Sequence, residues 1–421
     1  MTTEAAARRT GEAVRRDDVV DLARLMALTP SPPGRERLIA ERLADEGQRI
    51  APDLQWRVDP FDDHRANLLV TAGPADYRAV DVMLFAHLDT SLAGVEEYRH
   101  LTGCEPDAGT GPDPGFSVRD GKLIGPGIAV AKGPAAGALA ALLAGHRTGT
   151  LAYGTGVLLT SGGTHRAAAG SGGFAAGLRH ALEYGLSPRG AINVKAGAPC
   201  VLHEEPGSAY LRISVKSSGG PLMLQQSEGC AGAAAALARL LPLIENWRKT
   251  LRERDRAALC GRDVGLGALA AGLPDKPDML PSASWADLYL VTAPGDDASE
   301  LAGELALLLA ADASITASVT VTASMPAGRT PVEHPVVELA TRAWNRHLGP
   351  AAPISNWLGS TDGALLRHRG IPVARLGPRP RSAPAGLEAL DLDELTTFAR
   401  IDAELLVQLQ PEDPIEQGGR T

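Results

Sequence analysis

Apolar residues recur at helical spacing in "DDVVDLARLMALTP", where Val19, Leu22, Leu25 and Met26 form one stripe and predict a helix. The next stretch, "SPPGRERLIAERLADEG", opens on prolines and closes at Gly47, which predicts a second helix packed on the first. The pattern then shortens. "ANLLVTA" and "AVDVMLFAHLDT" are apolar runs with β-branched residues, and the second is almost continuously apolar, as expected for a strand covered on both faces. A Gly/Pro-rich excursion over 102–118 and a turn at Asp120-Gly121 lead to an Ala-rich helix after Lys132. "GTGVLLTSGG" reads as a buried strand, "GGFAAGLRHALEYG" as a helix and "RGAINVKAG" as a strand. Alternation of this kind predicts an α/β fold, a mixed sheet with helices over its faces.

From Gly207 the chain changes style. "YLRISVK" alternates Leu211, Ile213 and Val215 with Arg212, Ser214 and Lys216, so one face of that strand meets water. A long Ala/Leu helix over 229–247, strands near 264–271 and 285–291, a helix with Leu301, Leu305, Leu308 and Leu309 on one face, and the alternating "ASVTVTA" complete a β-α-β-β-α-β order. This predicts a ferredoxin-like α+β domain over 207–325, inserted into an α/β domain made of 1–206 and 326–421. The α/β style returns with "GIPVARLG" as a strand and "LDLDELTTFARIDAELLVQL" as a closing amphipathic helix. Residues 1–16 and "PEDPIEQGGRT" are expected to be loose tails.

Composition narrows the class. The 421 residues are 44% apolar and 22% charged, which is ordinary for a globular protein, and at that length two compact units are the default. Aromatic residues are only 4%, so Ala, Leu and Val must build the core. A formal net charge of -9 provides no basic stripe for nucleic acid, which is not expected as a partner. Cys104, Cys200, Cys230 and Cys260 are scattered without a C-x-x-C pair and are expected to be free thiols in a reducing compartment. The start lacks an apolar leader core, and no stretch approaches the roughly 18 uninterrupted apolar residues of a membrane span, so a cytosolic, membrane-free protein is expected.

The stretches "LFAHLDT", "DGKLIGPGIAVAKG", "LLTSGGTHR" and "GSTDGALLRHRGIP" stand in an order and spacing that resemble the dizinc aminoacylase, acetylornithine deacetylase and glutamate carboxypeptidase family. The resemblance runs over nearly the whole chain. It implies a zinc-exopeptidase-like domain with an inserted lid domain, through which family members form dimers. It also implies a set of metal-binding residues, and most of those positions are changed. His87 and Asp89 match a zinc ligand and the carboxylate that holds it. Val130 stands where the bridging aspartate should be, Thr164 to Arg166 where a pair of glutamates should be, and Lys195 and Ala196 where the next acidic ligand should be. The last histidine ligand falls at or beside Pro384, and the lid histidine and arginine fall near Gly220 and Val291.

Two zinc ions carry four positive charges and need deprotonated ligands at about 2 Å. His87 alone does not supply them, and Arg166 and Lys195 at such a site would repel a dication by several kcal/mol even at an effective dielectric near 20. Neither a metal centre nor another cofactor is therefore expected. His87 with Asp89 is either a retained structural pair or a working imidazole oriented by a carboxylate. His165 is a second candidate proton carrier, whereas Arg166, Lys195 and Asp362 are candidates for binding a substrate, with Arg166 and Lys195 suited to a carboxylate or an oxyanion. Solvated loop and turn roles for these four residues stand beside those readings. Lys132 reads as structural. The glycine-rich "GTHRAAAGSGG" lacks the ending of a phosphate loop, Ser171 lacks a nucleophile-elbow context, and "LHEEPG" is broken by proline and lacks a second histidine.

Three functions follow from this reading. The first is a metal-independent enzyme that acts on an amide or amino-acid-derived small molecule. The second is a catalytically dead relative that binds a ligand or a partner chain, pairing with an active homologue through the edges of its lid; a homodimer through the lid domain is an expectation for the protein under any of the three readings. The third is an active zinc hydrolase with rearranged ligands.

Overall fold

In the computed structural model the larger sheet has six strands, in the order Gln55–Pro60, Ala66–Ala72, Thr155–Thr160, Val82–His87, Gly190–Val194 and Val373–Leu376. The first two pairings are antiparallel and the other three are parallel, so the sheet is mixed. The structure describes residues 2–91, 97, 115–166, 174–224, 232–382 and 388–411. Cys104, Ser171, Cys230, Pro384, most of the 102–118 excursion and nearly all of the expected closing tail lie outside the described residues.

Every residue of Val82–His87 and of Thr155–Thr160 is buried, because helices cover both faces of the central strands. The Ala-rich helix Gly133–Thr148 is buried without interruption from Gly133 to Gly145. Counted from Ile128 to Thr148, it is long and apolar enough by composition to cross a membrane, although Lys132 interrupts the apolar run. Its most apolar window is 94% buried within the protein, which makes it the core helix of this unit. The closing helix Leu392–Gln408 packs on it and is buried on most of its faces, so it is less amphipathic than its sequence suggests.

Two expectations are corrected, and one strand had no counterpart in the sequence reading. The first residues are no loose tail: Thr3–Glu12 is a helix whose Ala7, Thr10 and Gly11 are buried against the closing helix and the turn at Thr150. Small residues allow that close approach, and hydropathy does not register it. Gly47 does not end its helix, which runs over Arg37–Ile50; a β-carbon there would stand 2.4 Å from the Trp56 ring, so closeness of packing explains the glycine. The edge strand Gln55–Pro60 was not anticipated, because its polar residues mask the alternation.

The smaller sheet has four antiparallel strands in the order Asp263–Ala271, Ala283–Thr292, Gly207–Lys216 and Thr316–Met325. Helices Gly232–Glu253 and Ala298–Leu309 back it, which gives the anticipated β-α-β-β-α-β order. Leu211, Ile213 and Val215 share one buried core with Leu301, Leu305 and Leu309 of the second helix. By packing, the chain forms two compact units: residues 1–203, 330–353 and 369–421, and residues 204–329 and 354–368. The segment 354–368, placed by sequence in the larger unit, groups with the smaller one because Thr361 and Arg367 hydrogen-bond to Glu205. Cys200 and Cys260 are free and buried.

Candidate functional site

Val82–His87 lies between Thr155–Thr160 and Gly190–Val194 and runs parallel to both, so the carboxyl ends of three neighbouring strands meet at one edge of the sheet. His87 is the last residue of the first strand. Lys195 directly follows the third, and Ser161 to Arg166 follow the second. The loop after His87 is held in place: Ser31 Oγ donates to the Leu88 carbonyl at 2.8 Å, and the Thr90 amide donates to the Ser31 carbonyl at 3.1 Å.

This arrangement brings Lys195 Nζ to 2.7 Å from His87 Nε2. On the other side of the ring, Nδ1 stands 3.1 Å from Asp89 Oδ1. Asp89 is fully buried, and its two oxygens accept the amides of Gly163 at 2.8 Å and Thr164 at 2.7 Å. Burial alone would raise the Asp89 carboxyl, but the interaction with His87 and the hydrogen bonds from His87 and Thr164 outweigh it and hold Asp89 well below the usual carboxylate range. An ionised Asp89 requires a proton on Nδ1. Nε2 then carries the lone pair, and the Lys195 ammonium donates to it.

Burial first, and the positive charge of Lys195 second, lower the proton affinity of His87, so its ring is neutral near pH 7. Glu36 sits behind this group, fully buried, with Oε1 accepting the amides of Gly34 at 2.8 Å and Gly162 at 3.2 Å. Burial and the nearby Asp89 charge push Glu36 up to about 7. His165 is edge-on to Phe174 with ring centroids 4.2 Å apart. Burial of its ring, then Lys195 and His87, lower it to about 3, so a proton-carrying role at neutral pH, expected from sequence, conflicts with its surroundings.

Arg166 is held by Glu97, its Nη1 and Nη2 standing 2.9 and 2.7 Å from the two carboxylate oxygens, and Nη2 also donates to the Ser91 carbonyl at 3.1 Å. A substrate carboxylate would have to displace Glu97. Asp362 belongs to the smaller unit, at the turn into helix Gly363–His368, where its carbonyl accepts the Leu365 amide. Val130, at the expected bridging aspartate, lies in the turn Ile128–Lys132, and Glu388 accepts the amides of Ala129 and Val130 at 2.8 and 3.0 Å. Lys132 Nζ donates to the Thr29 carbonyl at 3.0 Å, and burial, opposed by Glu388, lowers it to about 8.

Glu36, Gly163 and Glu388 were not singled out from sequence. Glu36 meets Gly162 across 126 residues and Glu388 meets Ala129 across 259, distances over which no local pattern carries information.

The sequence signature of Peptidase family M20/M25/M40 matches residues 83–408, about three quarters of the chain. The chain belongs to this M20 family. Its fold is similar to that of human carnosine dipeptidase 1, with a TM-score of 0.67 and 13% identity over 97% of this chain and 99% of that one. It is also similar to the Bacillus subtilis YXEP protein, a dinuclear metal binding peptidase, with a TM-score of 0.58 and 14% identity over 93% and 97% of the two chains. A third similar structure is a hydantoinase/carbamoylase family amidase from Burkholderia ambifaria, with a TM-score of 0.56 and 15% identity over 97% and 98%. No curated protein matches the chain at significant similarity.

The described residues around His87 do not fit a pair of metal ions. Among the described residues there is no group of three or more His, Cys, Asp or Glu side chains that could hold a metal. In this geometry Nε2 of His87 faces an ammonium at hydrogen-bond distance, and Nδ1 faces Asp89. A dication placed on that nitrogen would have to displace Lys195 and meet its charge.

Proposed function

We propose that this M20-family protein is a divergent relative of the aminoacylase and deacetylase branch that acts on an amide or amino-acid-derived small molecule without paired metal ions. His87, oriented by Asp89, moves protons, and Lys195 brings a positive charge to the centre of the resting site. The observation that carries this reading is the 2.7 Å contact of Lys195 Nζ with His87 Nε2. An ammonium on the imidazole nitrogen provides one positive charge at a point, and a carboxylate-bearing substrate or a developing oxyanion is stabilised by it.

A second reading, a protein that binds a ligand without turning it over, draws support from the closure of the same group. His87 is 4% exposed and both of its ring nitrogens are engaged.

Elemental analysis of untreated protein, with turnover of N-acyl amino acids, N-carbamoyl amino acids and dipeptides measured before and after exhaustive chelation, tests the proposal. Turnover that survives chelation and is lost in a folded His87→Asn variant supports the enzyme. Stoichiometric zinc that His87→Asn abolishes rejects metal independence. Absence of turnover on every substrate, with ligand binding retained, favours the second reading.

A further inference from the structure

Asp89, His87 and Lys195 form an unbroken chain, with carboxylate oxygen to Nδ1 at 3.1 Å and Nε2 to Nζ at 2.7 Å. Orienter, base and nucleophile stand in this relation in enzymes that activate a weak nucleophile, and here the group at the end is an amine. We propose that Lys195 is a nucleophilic amine that condenses with an aldehyde or ketone, specifically an amino-acid-derived carbonyl compound such as a 2-oxo acid, to form a Schiff base. The inference rests on the metal-free reading of the site given above.

The placement of Lys195 suits this role. Its main chain is pinned at a strand end, the amide donating to the Leu376 carbonyl at 3.0 Å, and Gly377 packs so closely that a β-carbon there would stand 2.4 Å from the Lys195 carbonyl oxygen. The side chain is half-buried, whereas that of Lys132 is only 1% exposed. A rigid base, a partly open side chain and a neutral imidazole at its tip are what a reacting amine requires.

The chemistry selects the substrate class. Acyl transfer to an amine ends in an amide as stable as the one cleaved, and would stop the enzyme after one turnover. Condensation with a carbonyl is reversible. The Lys195 ammonium passes a proton to His87 Nε2, and Asp89 stabilises the imidazolium. The freed lone pair attacks the carbonyl carbon, the C–N bond forms, the π pair moves to oxygen, and that oxygen takes the proton from His87. The nitrogen of the carbinolamine still carries two protons and the positive charge; the hydroxyl leaves with one of them as water while the C=N bond forms. Ammonium and carbonyl give a protonated imine and water, and no oxidant is consumed.

Trace acetylation with acetic anhydride near neutral pH, read by peptide mass spectrometry on native and urea-unfolded protein, measures each amine's reactivity without any variant. Lys195 is expected to react roughly tenfold faster than the exposed Lys249, each normalised to the unfolded chain. Glyoxylate with cyanoborohydride is expected to leave a carboxymethyl group on Lys195, and His87→Gln to bring Lys195 down to the level of Lys249. A native Lys195 that reacts no faster than Lys249, or a Lys195 equally reactive in folded His87→Gln, overturns the proposal. Zinc content measured on the same sample separates the two claims: stoichiometric zinc overturns both, whereas metal-free protein with an inert Lys195 overturns only the amine.

Discussion

Gly163 lies directly against His87: a β-carbon built on it would stand 2.4 Å from His87 Cβ and 2.5 Å from Cγ. The same residue donates its amide to Asp89 at 2.8 Å, so one glycine both makes room for the imidazole and fixes the carboxylate that orients it. Gly163→Ala is expected to destabilise the protein by about 1–3 kcal/mol in urea unfolding, through overpacking, and to move the imidazole signals of His87. An unchanged midpoint with unchanged imidazole signals would show that the neighbouring loop yields freely.

Glu36 makes stability depend on pH. Its folded value of about 7 lies above the ordinary 4.5, so the folded state holds the extra proton between those limits. Stability from this group is full below about pH 4.5 and is lost as pH rises through about 7, a swing of about 3 kcal/mol. Unfolding free energies measured from pH 4 to 8 on wild type and Glu36→Gln check this prediction, and the variant should lack that decline. Parallel curves would sink it.

Lys195 is one of the two causes that depress His87, after burial. Lys195→Met removes the charge and keeps an unbranched chain, so the His87 titration, followed by NMR of the ring, should move up toward the ordinary histidine range. A downward move, or none, would mean that Lys195 does not face the ring as a cation.

Asp402, in the closing helix, has both carboxyl oxygens buried without a hydrogen-bond partner among the described residues. Burial raises it well above the ordinary carboxyl value, so the folded protein keeps it protonated and stability declines as pH rises above about 4. Asp402→Asn should flatten that decline and be at least as stable as wild type at pH 7 in chemical denaturation. A variant that is less stable at pH 7 would point to a role for the charge.

Chelation should leave thermal stability unchanged. Metals that bind only the folded state add about 4 kcal/mol at a thousandfold excess over Kd, so their removal from a metal-dependent fold lowers the melting temperature visibly. Scanning calorimetry with and without a strong chelator decides this, and a clear drop would argue for a resident ion.

Much of the architecture is legible in the chain. A short apolar run with β-branched residues such as Val82–His87 reads as a strand buried on both faces, and the alternation of Leu211, Ile213 and Val215 marks a sheet with one wet side. The helix Thr3–Glu12 escapes such reading because Ala7, Thr10 and Gly11 are buried for their small size, a property hydropathy does not measure. Gly47 misleads for the same reason, since it makes room for Trp56 inside a helix it was expected to end.

In the site, residue types were readable and their relations were not. His87 and Asp89 are two residues apart, so their pairing follows from the strand end they share. The approach of Lys195 to His87 spans 108 residues, and Glu97 reaches Arg166 across 69. Local pattern thus determined the strands, the helices and which ionisable side chains stand at the strand ends. Sheet order and parallel pairing decided which of those ends are neighbours, because only folding brings distant segments within the few ångströms over which hydrogen bonds and charges act.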